Sequence, residues 1–147
     1  MKPLTFLLTL GLLAGCGQSS LPLKAVGNVA PLHSVQPNRV LGIWSGILTQ
    51  GSSKTFSFSI HFKHDDGHSL SGTSRISKGS DFGVMAFTAT EQGKTINYKE
   101  TKILRQRIYG GGWCIKTATL QLSEGHKVMQ GPWTGCPVPG ELKVTRQ

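Results

Sequence analysis

Residues 54–63 read KTFSFSIHFK, and this stretch decides the fold. On an extended chain successive side chains point to opposite faces. Phe56, Phe58, Ile60 and Phe62 therefore share one face, with Ser57, Ser59 and His61 on the other. One apolar face and one polar face is the pattern of an antiparallel strand covering a core. A helix would need apolar residues three and four apart, and nothing from residue 39 onward repeats that way.

Reading outward, period-two stretches recur between clusters of turn-forming residues: GSS, HDDGH, KGSD, EQGK, YGG, SEGH and CPVPG. They predict eight strands, at 40–49, 54–63, 69–77, 83–90, 95–108, 112–122, 127–134 and 140–146. Most joints are short, so consecutive strands should be antiparallel neighbours. A meander of eight such strands removes its exposed edges by closing. The expected fold is an all-β, antiparallel, up-and-down eight-stranded barrel.

The 147-residue chain has a different character before this region. Lys2 precedes an apolar run, PLTFLLTLGLLA, of the length of a secretory h-region and too short to span a bilayer. The run ends in Leu13-Ala14-Gly15-Cys16. Run and tetrapeptide together resemble a bacterial lipobox. That resemblance implies cleavage before Cys16, diacylglycerylation of its thiol and acylation of the new amino terminus. Several acyl chains on one residue anchor a protein stably without a transmembrane helix. By analogy with sorting in Gram-negative enterobacteria, Gly17 in place of Asp after the cysteine implies, for a Gram-negative source, the outer membrane at its periplasmic or surface face. The expected organisation is a signal peptide over 1–15, a lipidated N-terminus and flexible linker over 16–38, and a barrel over 39–147. The linker expectation rests on three prolines, two glycines and three serines in 17–38 without apolar periodicity.

Export permits disulfides, and with Cys16 lipidated the remaining cysteines are Cys114 and Cys136. A bridge between them would stabilise the fold by roughly 3 kcal/mol on the loop-entropy scale. Metal ligation by the two thiols is the weaker alternative. If strands six and seven form a hairpin centred on Gly125, position i faces position 250 − i. Leu122 then meets Val128, Leu120 meets Gln130, and Cys114 meets Cys136.

Strand one opens Val40-Leu41-Gly42-Ile43-Trp44-Ser45-Gly46, a Gly-x-Trp element that resembles the opening of lipocalin and avidin-type barrels. The resemblance implies that Trp44 closes one barrel end and that Arg146, on the last strand, packs across it. A second resemblance rests on Ser71-Gly72-Thr73-Ser74, Glu100-Thr101-Lys102-Ile103, Trp113-Cys114, Gly131-Pro132-Trp133-Thr134-Gly135-Cys136 and Pro139-Gly140. These look like a small all-β module of exported bacterial proteins with no established activity. It implies the same fold and the same disulfide.

The densest group of potential metal ligands is His61, His64, Asp65, Asp66 and His68. Lys63 lies inside it and Asp-Asp-Gly reads as a hairpin turn, so no metal site and no cofactor are expected. Nor is an enzyme: G-x-S-x-G, H-E-x-x-H and P-loop patterns are missing and the chain has seven acidic residues. Glu100 continues the Ile96–Tyr98 face and is expected inside the barrel, near Arg105 or Lys116, unless a bulge at Thr101 turns it out.

Without Lys2 the chain keeps 15 Lys and Arg against seven Asp and Glu, a charge of +8 with His neutral. Lys99, Lys102, Arg105, Arg107 and Lys116 concentrate on strands five and six. Export argues against nucleic acid as the partner of this charge. Two functions follow as expectations. One is a membrane-anchored binding module for a small apolar ligand held by Trp44, Phe58, Tyr98, Glu100 and Trp133. The other is an envelope-associated structural lipoprotein whose basic face meets anionic lipid or cell-wall polymer. A cavity above about 300 Å3, the low end for ligand pockets, would favour the first.

Overall fold

The computed structural model describes residues 39–67 and 69–147. The signal peptide, the Cys16 lipidation site and the 16–38 linker expected from the sequence lie outside the described residues.

Eight strands follow one another in chain order: β1 Gly42–Gln50, β2 Lys54–Asp65, β3 Leu70–Lys78, β4 Asp81–Gln92, β5 Thr95–Arg107, β6 Thr117–Leu122, β7 Val128–Thr134 and β8 Gly140–Arg146. Each pairs antiparallel with its neighbour, and β8 pairs back onto β1, closing the barrel. The up-and-down barrel expected from KTFSFSIHFK is the fold. In that strand Phe58, Ile60 and Phe62 are buried, while Ser57 and His61 are exposed. Apolar residues fill the inside and polar ones face out, the inverse of a barrel that spans a membrane.

The interior is packed with side chains. Trp44, Leu48, Ile60, Phe62, Leu70, Met85, Phe87, Ile96, Leu120, Met129 and Leu142 are each at most 2% exposed. Phe87 sits between Phe62 and Tyr98, with ring centroids 5.0 and 4.8 Å apart. Three extra residues interrupt the ladders: Lys63 opposite β3, and Thr101 and Leu104 opposite β4. The bulge at Thr101 leaves Glu100 inside, fully buried.

Two expectations are corrected. Strand six was expected from 112, but β6 begins at Thr117. The side chain of Glu100 captures the Lys116 amide at 2.9 Å, and residues 108–116, with glycines at 110–112, leave the sheet as a loop. The β6–β7 register also differs by one residue. Leu122 faces Met129, Gln121 faces Gln130 and Ala118 faces Trp133, where 250 − i set Leu120 against Gln130. The physical reason is the alternation itself. A one-residue slip pairs apolar with polar positions, so burial of one face selects the register that matches them.

The two barrel ends are built differently. At the end where residue 39 enters, Trp44 plugs the lumen and donates its indole N–H to the Val40 carbonyl at 2.8 Å. The Arg146 guanidinium lies 5.6 Å from the Trp44 ring and donates to the carbonyls of Arg39 and Leu41, at 2.6 and 2.7 Å. The opposite end is formed by residues 51–53, 79–80, 108–116 and 135–139. Here the Cys114–Cys136 disulfide, Cα atoms 5.7 Å apart, ties the loop after β5 to the β7–β8 connection. Gly135 makes that approach possible: its φ is +107°, and a Cβ there would lie 2.3 Å from the Ile115 carbonyl oxygen.

Candidate functional site

The disulfide end holds an open cavity of about 260 Å3. Its floor is polar and its walls are apolar. The floor comes from the point where β5 meets the 108–116 loop. There Glu100 is wholly buried and Lys116 is 2% exposed. Glu100 Oε1 accepts hydrogen bonds from the Ser74 and Tyr98 hydroxyls, both at 3.0 Å. Oε2 accepts from the Lys116 amide at 2.9 Å and pairs with Lys116 Nζ at 3.0 Å. Lys116 Nζ also donates to the Cys114 carbonyl at 2.9 Å. The carboxylate thus has four donors. A buried ion pair is tolerable only when its remaining lone pairs and protons are satisfied in this way.

These surroundings shift two groups in opposite directions. Burial, and secondarily the charge of Glu100, raises the Tyr98 hydroxyl well above its ordinary value of 10.0. Burial lowers Lys116 from its ordinary 10.5, partly opposed by the charge of Glu100. An ammonium has three donors, and two of those on Lys116 are spoken for. The residue itself lines the cavity.

The walls carry Leu48, Phe56, Ile76, Ile108, Trp113 and Trp133. Trp113 stands edge-to-face against Phe56, centroids 5.8 Å apart. It occupies the space over Gly83, where a Cβ would come within 2.6 Å of the indole. Trp133 is held by its indole N–H, which donates to the Thr49 carbonyl at 2.8 Å. Lys54 and Lys78 bring positive charge to the cavity, with Lys78 Nζ 5.5 Å from the Phe56 ring. Asp81 is the one carboxylate among the lining residues. Its Oδ1 and the Trp113 Nε1 are the two buried side-chain polar atoms without a hydrogen-bond partner among the described residues.

Of the five residues expected to hold a ligand, Trp133 lines this cavity and the other four do not. Trp44 closes the far end, Phe58 is packed in the core, and Tyr98 and Glu100 lie in the hydrogen-bonded floor. Phe56, Asp81, Trp113 and Lys116 take their place at the site. One signal in the sequence bears on Trp113. Gly83 occupies an inward position of β4, so some other side chain must fill the space it leaves. Lys116 was expected in the basic face and also, with Arg105, as an inward neighbour of Glu100. The second placement is the one found, a buried pair with Glu100 that removes it from that face.

Among the described residues no three His, Cys, Asp or Glu side chains form a metal-binding group. His61 points outward from β2 and His64 follows the bulge at Lys63. Asp65 accepts from the Gly67 amide at 2.8 Å, and Asp66 from the amide and hydroxyl of Ser69 at 2.6 and 3.1 Å. Both carboxylates therefore shape the turn. His68 lies outside the described residues. No protein-family model, curated protein or solved structure matches the chain.

Proposed function

We propose that the protein is an exported, lipid-anchored binding module, lipocalin- or avidin-like in plan, that holds a small, largely apolar ligand in the disulfide-bonded mouth of its barrel. The observation that carries this is the cavity of about 260 Å3 between Phe56, Trp113 and Trp133, floored by Lys116. It lies below the roughly 300 Å3 that would by itself favour a ligand pocket, so the reading rests on the lining and limits the ligand to the volume of about nine waters. The filled lumen beneath it confines the ligand to the mouth.

The lining selects the ligand's chemistry. Aromatic walls favour a flat ring. Lys54 and Lys78 outnumber Asp81, and Lys116 has a proton to spare, so a negative or hydrogen-bond-accepting group on the ring is favoured.

The test is quenching of tryptophan emission by small aromatic carboxylates, benzoate to naphthoate, compared with the matching neutral alcohols. The carboxylates should bind more tightly, and Ile108→Trp, which fills the cavity, should abolish binding while leaving the urea-unfolding midpoint near that of the parent. Undiminished binding to Ile108→Trp, or no response to any of the probes, overturns the reading.

A further inference from the structure

The wall formed by β3, β4 and β5 carries a second feature, separate from the mouth. Phe82 points outward from β4, and three arginines surround it. The guanidinium carbons of Arg75, Arg105 and Arg107 lie 4.5, 5.4 and 5.8 Å from its ring centroid. The register explains the convergence: Phe82 pairs with Arg107, and the next outward residue, Val84, pairs with Arg75 on one side and Arg105 on the other. Arg107 is fixed by two hydrogen bonds to the Ser80 carbonyl, at 2.9 and 2.6 Å. No side-chain hydrogen bond or ion pair holds Arg75 or Arg105 among the described residues, so their planar donor forks remain available.

Among the described residues no carboxylate on this wall meets these arginines: Glu91, at the far end of β4, is paired with Arg39. Asp81 belongs to the mouth and Glu100 to the interior. Lys99 and Lys102 extend the positive row along β5. A cation over a phenyl ring at an exposed site gains little, a weak return for bringing three like charges together. The arrangement calls for an anion, and guanidinium forks match phosphate oxygens in pairs.

Apolar side chains lie beside the charge. Leu104, the bulged residue between Ile103 and Arg105, is 51% exposed, and Tyr109, two residues past Arg107, is 87% exposed. A soluble polyanion would leave both in water. A bilayer interface accommodates both: phosphates for the arginines, and the headgroup region for a leucine and a tyrosine.

We propose that the β3–β5 wall is a membrane-contact surface for anionic phospholipid, with Arg75 and Arg105 taking headgroup phosphates and Leu104 and Tyr109 entering the interface. The surface would act alongside an anchor at Cys16. An extended chain from Cys16 to Arg39 reaches at most roughly 80 Å, enough to let the wall lie on the membrane that holds the anchor.

The experiment is cosedimentation of the full-length Cys16→Ser protein, which cannot be acylated there, with phosphatidylcholine vesicles containing or lacking phosphatidylglycerol. Binding should require phosphatidylglycerol. Near a membrane each basic residue is worth about 1 kcal/mol, so Arg75→Gln with Arg105→Gln should weaken binding roughly thirtyfold. Lys127→Gln with Lys143→Gln removes the same charge from the opposite wall and should cost far less. Equal losses in the two double variants would reduce the effect to net charge and overturn the site. Leu104→Ser with Tyr109→Ser should weaken vesicle binding but leave polyphosphate binding unchanged. Full vesicle binding by that variant, or inorganic phosphate at millimolar level displacing the vesicles, would point to an anion site without membrane contact and would also overturn the proposal. Urea-unfolding midpoints of all variants establish that the barrel is intact.

Discussion

The two mouths of this barrel solve the same problem by different means. A closed sheet still has open ends, and its last rungs have neighbours on one side only. At the entry end, Trp44 fills the lumen and Arg146 bonds to the carbonyls of Arg39 and Leu41. Inside the lumen shape and local hydrogen bonds suffice; outside it Arg39 pairs with Glu91, and the open space of about 330 Å3 beside them is a mainly polar surface hollow. At the far end the lumen stops at a hydrogen-bonded polar floor, and above it about 260 Å3 stays unfilled. An unfilled end loses packing, and here the strand connections are held by a disulfide and a buried ion pair. The lesson is that the apolar-walled space lies where a disulfide and a buried ion pair stand in for a core.

The sharpest way to break that contrast is to remove the charge from the floor. Glu100→Ala strands the Lys116 ammonium in a site that is 2% exposed, and breaking a buried pair on one side costs about 3–5 kcal/mol. Urea denaturation of Glu100→Ala should show a loss of that size. The double replacement Glu100→Leu with Lys116→Met removes the stranded charge and should recover most of it. If Glu100→Ala costs under ~1 kcal/mol, the floor is not held by this pair.

The disulfide comes next. Cys114→Ser with Cys136→Ser opens a loop of 22 residues, with an expected cost of roughly 3 kcal/mol. The effect should also be local. Amide hydrogen exchange is expected to speed up through 108–117 and 134–139, while the rungs around Trp44 keep their protection until global unfolding. Uniform acceleration across the barrel would mean that the two ends are energetically one unit, and the contrast between them would fall.

The ends also differ in how legible they were. The closed end could be read through the resemblance of its Gly-x-Trp element to lipocalin openings, which implied that Trp44 closes the end and Arg146 packs across it; the two residues pair directly on the β1–β8 ladder. The disulfide was also legible, because it needed only a cysteine count and a compartment. The mouth was not. Trp113 and Lys116 sit in a segment whose alternation looked like strand, but whose course is set by the side chain of Glu100, on neighbouring β5, taking the Lys116 amide. Periodicity has no access to such a contact. The β6–β7 register shows a different limit. A hairpin centred on Gly125 brings the cysteines opposite each other, but the ladder lies one residue away, where apolar residues face apolar ones. Burial acts on every residue of a strand, whereas the disulfide constrains one pair lying beyond the ladder's end. The arginines around Phe82 escaped for a third reason: Arg75 comes from β3, and only the three-strand register brings it to β5.

The smallest expected effect tests the floor most finely. Tyr98 donates one of the four hydrogen bonds to Glu100, so Tyr98→Phe should cost about 1 kcal/mol at neutral pH. Its stronger signature lies in alkali. The folded protein holds the Tyr98 proton well above 10.0, while the unfolded chain releases it near that value. The folded state therefore binds more protons from about pH 10 upward, and stability must fall with rising pH there. Lys116 works in the other direction. Its folded value lies below 10.5, so the unfolded chain binds more protons in that lower window, and stability rises with pH up to about 10.5. The parent protein combines both slopes; Tyr98→Phe keeps only the rising one. Urea midpoints of parent and variant from about pH 8 to pH 11 should therefore converge as the solution becomes more alkaline, since exposed groups common to both cancel in the difference. A constant gap across that range would mean that the hydroxyl releases its proton as easily in the fold as in water, and that the floor beneath the cavity is wet.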